Sequence, residues 1–155
     1  MKMKNILLVI LLLAASNTLE AQDIYGYWAG MLTAGGEQFK FEINIEEGER
    51  KDPTILSCRS CKKLRATIVD HRELEKNIAV FGIINHDASI NFIDTKLVRK
   101  ENIEQETRTR YQVAIEIKYG VPWLVGYWQD YDAKGRKIKQ GKVYLKREKL
   151  AASKA

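Results

Sequence analysis

Histidine and cysteine are scarce in this sequence, two of each in 155 residues. That leaves little material for a metal centre or a histidine-based relay. Familiar catalytic words are missing too: there is no Gly-x-Ser-x-Gly elbow, no phosphate-cradling glycine loop and no His-Glu-x-x-His. Paired carboxylates such as Glu46-Glu47 and the Glu101/Glu104/Glu106 group read as solvated loop charge. Nothing here argues for an enzyme or a cofactor. No lysine–arginine run is dense enough to make nucleic acid a leading partner. No segment reaches the roughly 20 apolar residues needed to cross about 30 Å of hydrocarbon. Amphipathic helices are also lacking: His71 to Asn77 offers one or two helical turns at most, and Glu101 to Arg110 is a charged loop or strand ends in solvent.

The one long apolar run is short and N-terminal. Lys2 and Lys4 precede ten apolar residues from Ile6 to Ala15, and Ser16-Asn17-Thr18 stops the run before Leu19-Glu20-Ala21. This is the layout of a secretory signal peptide. We expect residues 1–21 to be removed, with the mature chain starting at Gln22 and working in the periplasm or outside the cell. No cysteine follows the run, so lipoprotein processing is not expected. The remaining 22–155 suffices for one domain with one core. Losing Lys2, Lys4 and Glu20 lowers the formal charge from +6 to +5. Such an excess serves solubility or a loose attraction to anionic lipid or glycan.

What fills the mature chain is alternation. Phe39-Lys40-Phe41-Glu42-Ile43-Asn44-Ile45-Glu46 alternates apolar and polar residues, as does Tyr111 to Tyr119 apart from Ala114. Period two marks strands with one buried face. Further strands are expected over 24–33, 64–70, 78–84, 88–98, 122–131 and 138–147, about eight in all. Turn words separate them: Ala34-Gly35-Gly36-Glu37, Asn85-His86-Asp87 and Asp132-Ala133-Lys134-Gly135. A meander must bury one face in a barrel or a sandwich, and neighbour-to-neighbour hairpins favour the barrel, because closure removes unpaired edges. The expected fold is all-β and antiparallel: an eight-stranded barrel over 22–148, followed by a fraying tail at 149–155.

One word repeats. Gly26-Tyr27-Trp28 recurs as Gly126-Tyr127-Trp128, one hundred positions later. Gly-x-Trp on a first strand, with a basic residue on the last, resembles the lipocalin or calycin barrels. The resemblance implies that Trp28 closes one end of the barrel, beside Gly26, and that Arg147 packs over its indole. Trp28-Ala29-Gly30 and Gln140-Gly141-Lys142-Val143 likewise resemble small exported calycin-like proteins of Bacteroidetes-type bacteria. The Thr-Asp-Tyr word of the long lipocalins is echoed by Gln129-Asp130-Tyr131, and their C-terminal helix has no counterpart here.

Parity gives an independent reading. Ile24, Gly26, Trp28, Gly30 and Leu32 share one strand face, and Leu124, Gly126 and Trp128 repeat that arrangement. Small and large residues interleaved in this way suit a tapered interior. The two tryptophans are then core or end-closing residues, or they contact a ligand directly. An eight-stranded barrel holds either a packed interior or one small ligand. The leading expectation is a binding protein with a small apolar or amphipathic molecule inside, lined by Trp28, Leu32, Phe41, Ile43, Ile115 and Trp128. A solid barrel binding another envelope protein is the alternative. Tyr25, Tyr27, Tyr127 and Tyr131, with Trp123 nearby, would then form an outward patch for a partner or a sugar ring.

Cys58-Arg59-Ser60-Cys61 keeps several readings open. A local disulfide suits an oxidising compartment. A redox pair is favoured by Arg59 and Lys62, which would promote thiolate, but the helix start of thioredoxin-like pairs is missing. Two thiolates with His71 and His86 would make a zinc set, although no metal is expected. Simple unpaired thiols remain the fourth. Asp70-His71 and His86-Asp87 are sequence neighbours, which point to opposite faces of a strand and form no ready acid–base pair.

Overall fold

The computed structural model describes residues 24–53, 60–72, 77–100 and 103–149, with 95–100 and 103–107 described by their backbone only. Eight strands follow one another: β1 (Gly26–Ala34), β2 (Glu37–Glu47), β3 (Lys62–Asp70), β4 (Asn77–Ile84), β5 (Ile90–Lys100), β6 (Ile103–Lys118), β7 (Val121–Tyr131) and β8 (Lys137–Arg147). Each pairs antiparallel with the next, and β8 returns to β1 through Trp28↔Arg147 to Leu32↔Val143, closing the barrel. Among the described residues there is no helix. The fold expected from the alternation is the fold observed. The signal segment, Cys58 and most of the tail (150–155) lie outside the described residues.

Strand parity decides what is inside. Phe41, Ile43 and Ile45 of β2 are buried, while Lys40, Glu46 and Glu47 beside them are exposed. Leu64, Ala66 and Ile68 on β3, and Val143 and Leu145 on β8, continue the inner face. Burying each large side chain of this set contributes about 1.5–3 kcal/mol. Gly35 and Gly36 both take positive φ, 57° and 85°, and so make a two-residue turn whose twist matches the strands. We call the end with this β1–β2 turn the upper end. The lower end holds Ile24, Tyr25 and the Tyr119-Gly120 turn.

The barrel wall is uneven. β4 and β5 share only Phe81↔Ile93 to Ile84↔Ile90, and β6 begins to pair with β7 at Arg108↔Tyr131. Above those points β5 and β6 continue as a two-stranded ribbon to Lys100↔Ile103. Of the two readings of Glu101 to Arg110, the structure therefore makes 103–110 strand; Glu101 and Asn102 lie outside the described residues.

Candidate functional site

Lower and upper lumen are built differently. In the lower half Trp28 and Ile43 are packed at 0–3% exposure, and Leu32 and Phe41 extend the packed apolar core upward to the level of Phe39 and Asp70. The Trp28 indole N–H donates to the Ile24 carbonyl at 2.9 Å, and the Arg147 guanidinium lies over its ring, Cζ 4.7 Å from the centroid. Arg147 Nη2 donates to the Tyr25 carbonyl at 3.1 Å. These contacts plug the lower end.

Polar groups occupy the upper lumen. On β3, β5 and β7 the inward parity that carries Leu64, Ala66 and Ile68, then Ile90 and Phe92, then Leu124, Gly126 and Trp128, ends in Asp70, Asp94 and Asp130. Asp70 and Asp94 are buried, as is Thr109 of β6, whose hydroxyl donates to Asp130 Oδ1 at 2.7 Å. Tyr111 lies between these carboxylates, 2% exposed. Burial first, then the charges of Asp70, Asp94 and Asp130, push its pKa well above the usual phenol range despite opposition from Arg72. It therefore stays a neutral hydroxyl.

Arg72 organises this layer. It follows the end of β3 and turns back, so that Nε donates to both Asp70 oxygens at 3.0 Å. Its guanidinium lies over the Trp128 ring, Cζ 3.8 Å from the centroid. The indole N–H of Trp128 donates to the Thr33 carbonyl at 2.8 Å. Burial opposes the Arg72 charge, but Asp70 outweighs it and the pKa rises. Around this pair opens a cavity of about 560 Å³ lined by Ala34, Gly35, Phe39, Arg72, Trp128, Asp130, Lys139 and Gln140. The buried indole, covered by Arg72, thus floors a recess with Phe39 and Ala34 on its wall and cationic donors and a carboxylate acceptor around it, a set suited to holding a molecule with an apolar part and polar ends.

Of the six expected lining residues, Trp128 alone lines this cavity. Trp28, Leu32, Phe41 and Ile43 belong to the packed core, and Ile115 is half-buried against it. Sequence reasoning passed over Asp70, Arg72, Asp94, Thr109, Tyr111, Asp130 and Lys139. Most could have been found by carrying the inward parity one step past the last apolar residue.

Other candidates are dispersed. His71 at the upper end contacts Glu42 at 3.3 Å, whereas His86 at the lower end contacts Ser60 at 3.2 Å. The nine residues of β3, about 30 Å long, separate His71 from Cys61. The zinc set of two cysteines and two histidines is therefore not assembled. Cys61 is buried at the start of β3; the other half of the motif, Cys58, falls outside the described residues. The tyrosines split as well. Tyr25 packs against the core under Lys62, correcting its expected outward place, while Tyr127 is 59% exposed. Tyr27 faces out but is tied to Glu42 by a short hydrogen bond, and the Tyr131 hydroxyl donates to Gln129 at 2.6 Å.

Fold and mouth together define an eight-stranded antiparallel barrel with one end plugged and the other open and polar. No protein family matches the chain, and no curated protein is detectably similar to it in sequence.

Proposed function

We propose that this is an exported, non-enzymatic binding protein that seats one small amphipathic molecule in the open upper end of its barrel. The carrying observation is the cavity of about 560 Å³ over Trp128, Arg72 and Asp130. Pockets for small molecules fall in the range of about 300–1,000 Å³. Phe39 and Ala34 offer the apolar contact above the buried, Arg72-covered indole of Trp128, and Arg72, Lys139 and Asp130 fix polar ends. The ligand sits above the packed core rather than inside it. The Gly-x-Trp strand with its Arg147 partner keeps the resemblance to lipocalin-like barrels as part of this reading. The lysine-flanked apolar run at the N-terminus supports a periplasmic or extracellular place. The apolar lumen and charged outer wall are the reverse of a membrane-spanning barrel, whose outer band is apolar.

The test is native mass spectrometry of protein purified from its own envelope without reducing agent. The reading expects an extra mass on the order of a few hundred daltons, lost on denaturation and absent from Arg72→Ala/Asp130→Ala. A bare mass for the native chain would sink it and favour the second reading, a solid barrel that binds another envelope protein. The filled lower lumen supports that alternative. The same spectrum tests a further proposal, that Cys58 and Cys61 are paired. No free cysteine occurs among the described residues, and the pair makes the chain two hydrogens lighter than its reduced form.

A further inference from the structure

The outer wall made by β7, β8 and β1 differs from the rest of the barrel in charge. These neighbouring strands of 11, 11 and 9 residues contain a single carboxylate, Asp130, which points into the lumen. β8 itself, Lys-Ile-Lys-Gln-Gly-Lys-Val-Tyr-Leu-Lys-Arg, has five cations and no acid. Val143 and Leu145 are buried, so Lys142, Tyr144 and Lys146 face outward in alternation. Register places Met31 and Val125 beside Tyr144, Tyr127 beside Lys142, and Trp123 beside Lys146. Four of the six exposed large hydrophobic side chains among the described residues, Met31, Tyr127, Ile138 and Tyr144, lie on these three strands. Of the carboxylates bordering the wall, Glu42 contacts Lys40 at 3.0 Å and Glu116 contacts Lys118 at 3.4 Å, while Glu148 stands at the lower edge beside Tyr27.

We propose that this wall is a second binding surface, separate from the mouth, and that its partner is an acidic polysaccharide lying along β8. Tyrosine rings stack on the apolar faces of sugar rings, and a carboxylate-free wall attracts a polyanion. The spacing favours a sparsely charged chain. Lys142 and Lys146 lie about 13 Å apart along the strand, whereas nucleic acid carries one phosphate per about 3.4 Å of each strand. A lipid surface is disfavoured by shape. Tyr144 and Met31 are 36% and 37% exposed, and only Tyr127 and Ile138 stand out further, at 59% and 54%; two isolated side chains among lysines do not make the apolar face that sinks about 5–10 Å into a bilayer.

The test uses the mature chain with four probes: hyaluronate, which carries one carboxylate per disaccharide, neutral dextran, single-stranded dT20, and vesicles of phosphatidylcholine with phosphatidylglycerol. Titrations are run at low and at physiological salt. Hyaluronate should bind well above dextran, with affinity falling as salt rises. Lys142→Gln/Lys146→Gln and Tyr127→Ala/Tyr144→Ala should each weaken it at least tenfold, while melting as the parent does. Lys51→Gln/Lys134→Gln, with the same charge change elsewhere, should change it less than twofold. Equal weakening by that control pair would show bulk charge attraction and overturn the site. Binding no better than to dextran, or tighter binding to dT20 or the vesicles, would overturn the partner class.

Discussion

The same three-residue word lies at opposite ends of the barrel and does different work at each. At the lower end Trp28 is fully enclosed, its N–H on the Ile24 carbonyl and Arg147 over its face. At the upper end Trp128 makes matching contacts, its N–H on the Thr33 carbonyl and Arg72 over its face. What differs is the cation's partner. Arg147 is anchored on a backbone carbonyl, and its Nε is buried without a hydrogen bond among the described residues. Arg72 is ion-paired with buried Asp70 beside an open cavity. The glycines differ as well. Gly26 has φ +112° in open space, while a Cβ on Gly126 would lie 1.9 Å from the Gln112 carbonyl oxygen. One word supplies a strand entry at one end and a close strand approach at the other. An indole under a cation can thus serve as a plug or as the surface of a binding site, depending on whether a second charge and a void accompany it.

The comparison breaks most readily at the tryptophans. Trp28→Ala leaves an enclosed void and should cost about 3–5 kcal/mol, read from urea unfolding. Trp128→Ala removes an indole just as buried, 1% exposed, but next to the open cavity, so water can fill part of the void and the cost should fall at the low end of that range. Equal losses would mean that the upper end is packed as tightly as the lower. Next come the cations. Asp70→Asn strands the Arg72 charge, and breaking a buried pair costs about 3–5 kcal/mol; with water reaching the mouth, the low end is expected. Arg147→Met removes a cation without stranding a carboxylate and keeps an apolar cover on Trp28. It should cost about 1 kcal/mol, the scale of a cation–ring contact. If Arg147→Met proves the costlier change, the contrast between a paired and an unpaired cation is wrong.

The barrel was legible because alternation is a direct consequence of the pleat: one buried and one wet face forces period two. β2 and the second half of β6, from Tyr111 onward, are as readable in the sequence as in space. Strand ends were less so. β6 begins at Ile103, in a run of charges, where its backbone pairs with β5 alone before β7 joins at Arg108. The site was half legible. Trp128 stood out by its repeated word, but the carboxylates around Tyr111 did not. Asp70, Asp94 and Asp130 all fall within expected strands, but a carboxylate on the inward parity reads as the point where the buried face stops. Only the closed geometry shows that these three carboxylates gather around Tyr111. Arg72 was unreadable for a similar reason: a turn residue two places after Asp70 reaches Trp128, 56 positions away, only once the barrel is closed.

The smallest expected difference lies in the middle residues of the two words. The Tyr27 hydroxyl donates to Glu42, whereas Tyr127 is largely exposed. That bond is the main reason the Glu42 pKa falls from 4.5 to about 2; Lys40 and His71 add to it and burial opposes it. Tyr27 is pushed up from 10 to about 12 by burial and by the same carboxylate. For Glu42 the folded pKa is below the unfolded one, so its stabilisation is complete above pH 4.5 and fades as pH falls toward 2. For Tyr27 the neutral phenol is favoured, so its share is complete below pH 10 and fades toward 12. Tyr27→Phe should therefore cost about 1 kcal/mol at neutral pH, seen as a lower Tm. The gap from the parent should narrow below pH 4.5 and above pH 10. Tyr127→Phe should stay within about 0.5 kcal/mol throughout. A Tyr27→Phe gap that stays constant down to pH 3 would mean that Glu42 owes its low pKa to Lys40 and His71. The two tyrosines would then be equivalent surface residues, and the functional split between the two words would be confined to their tryptophans.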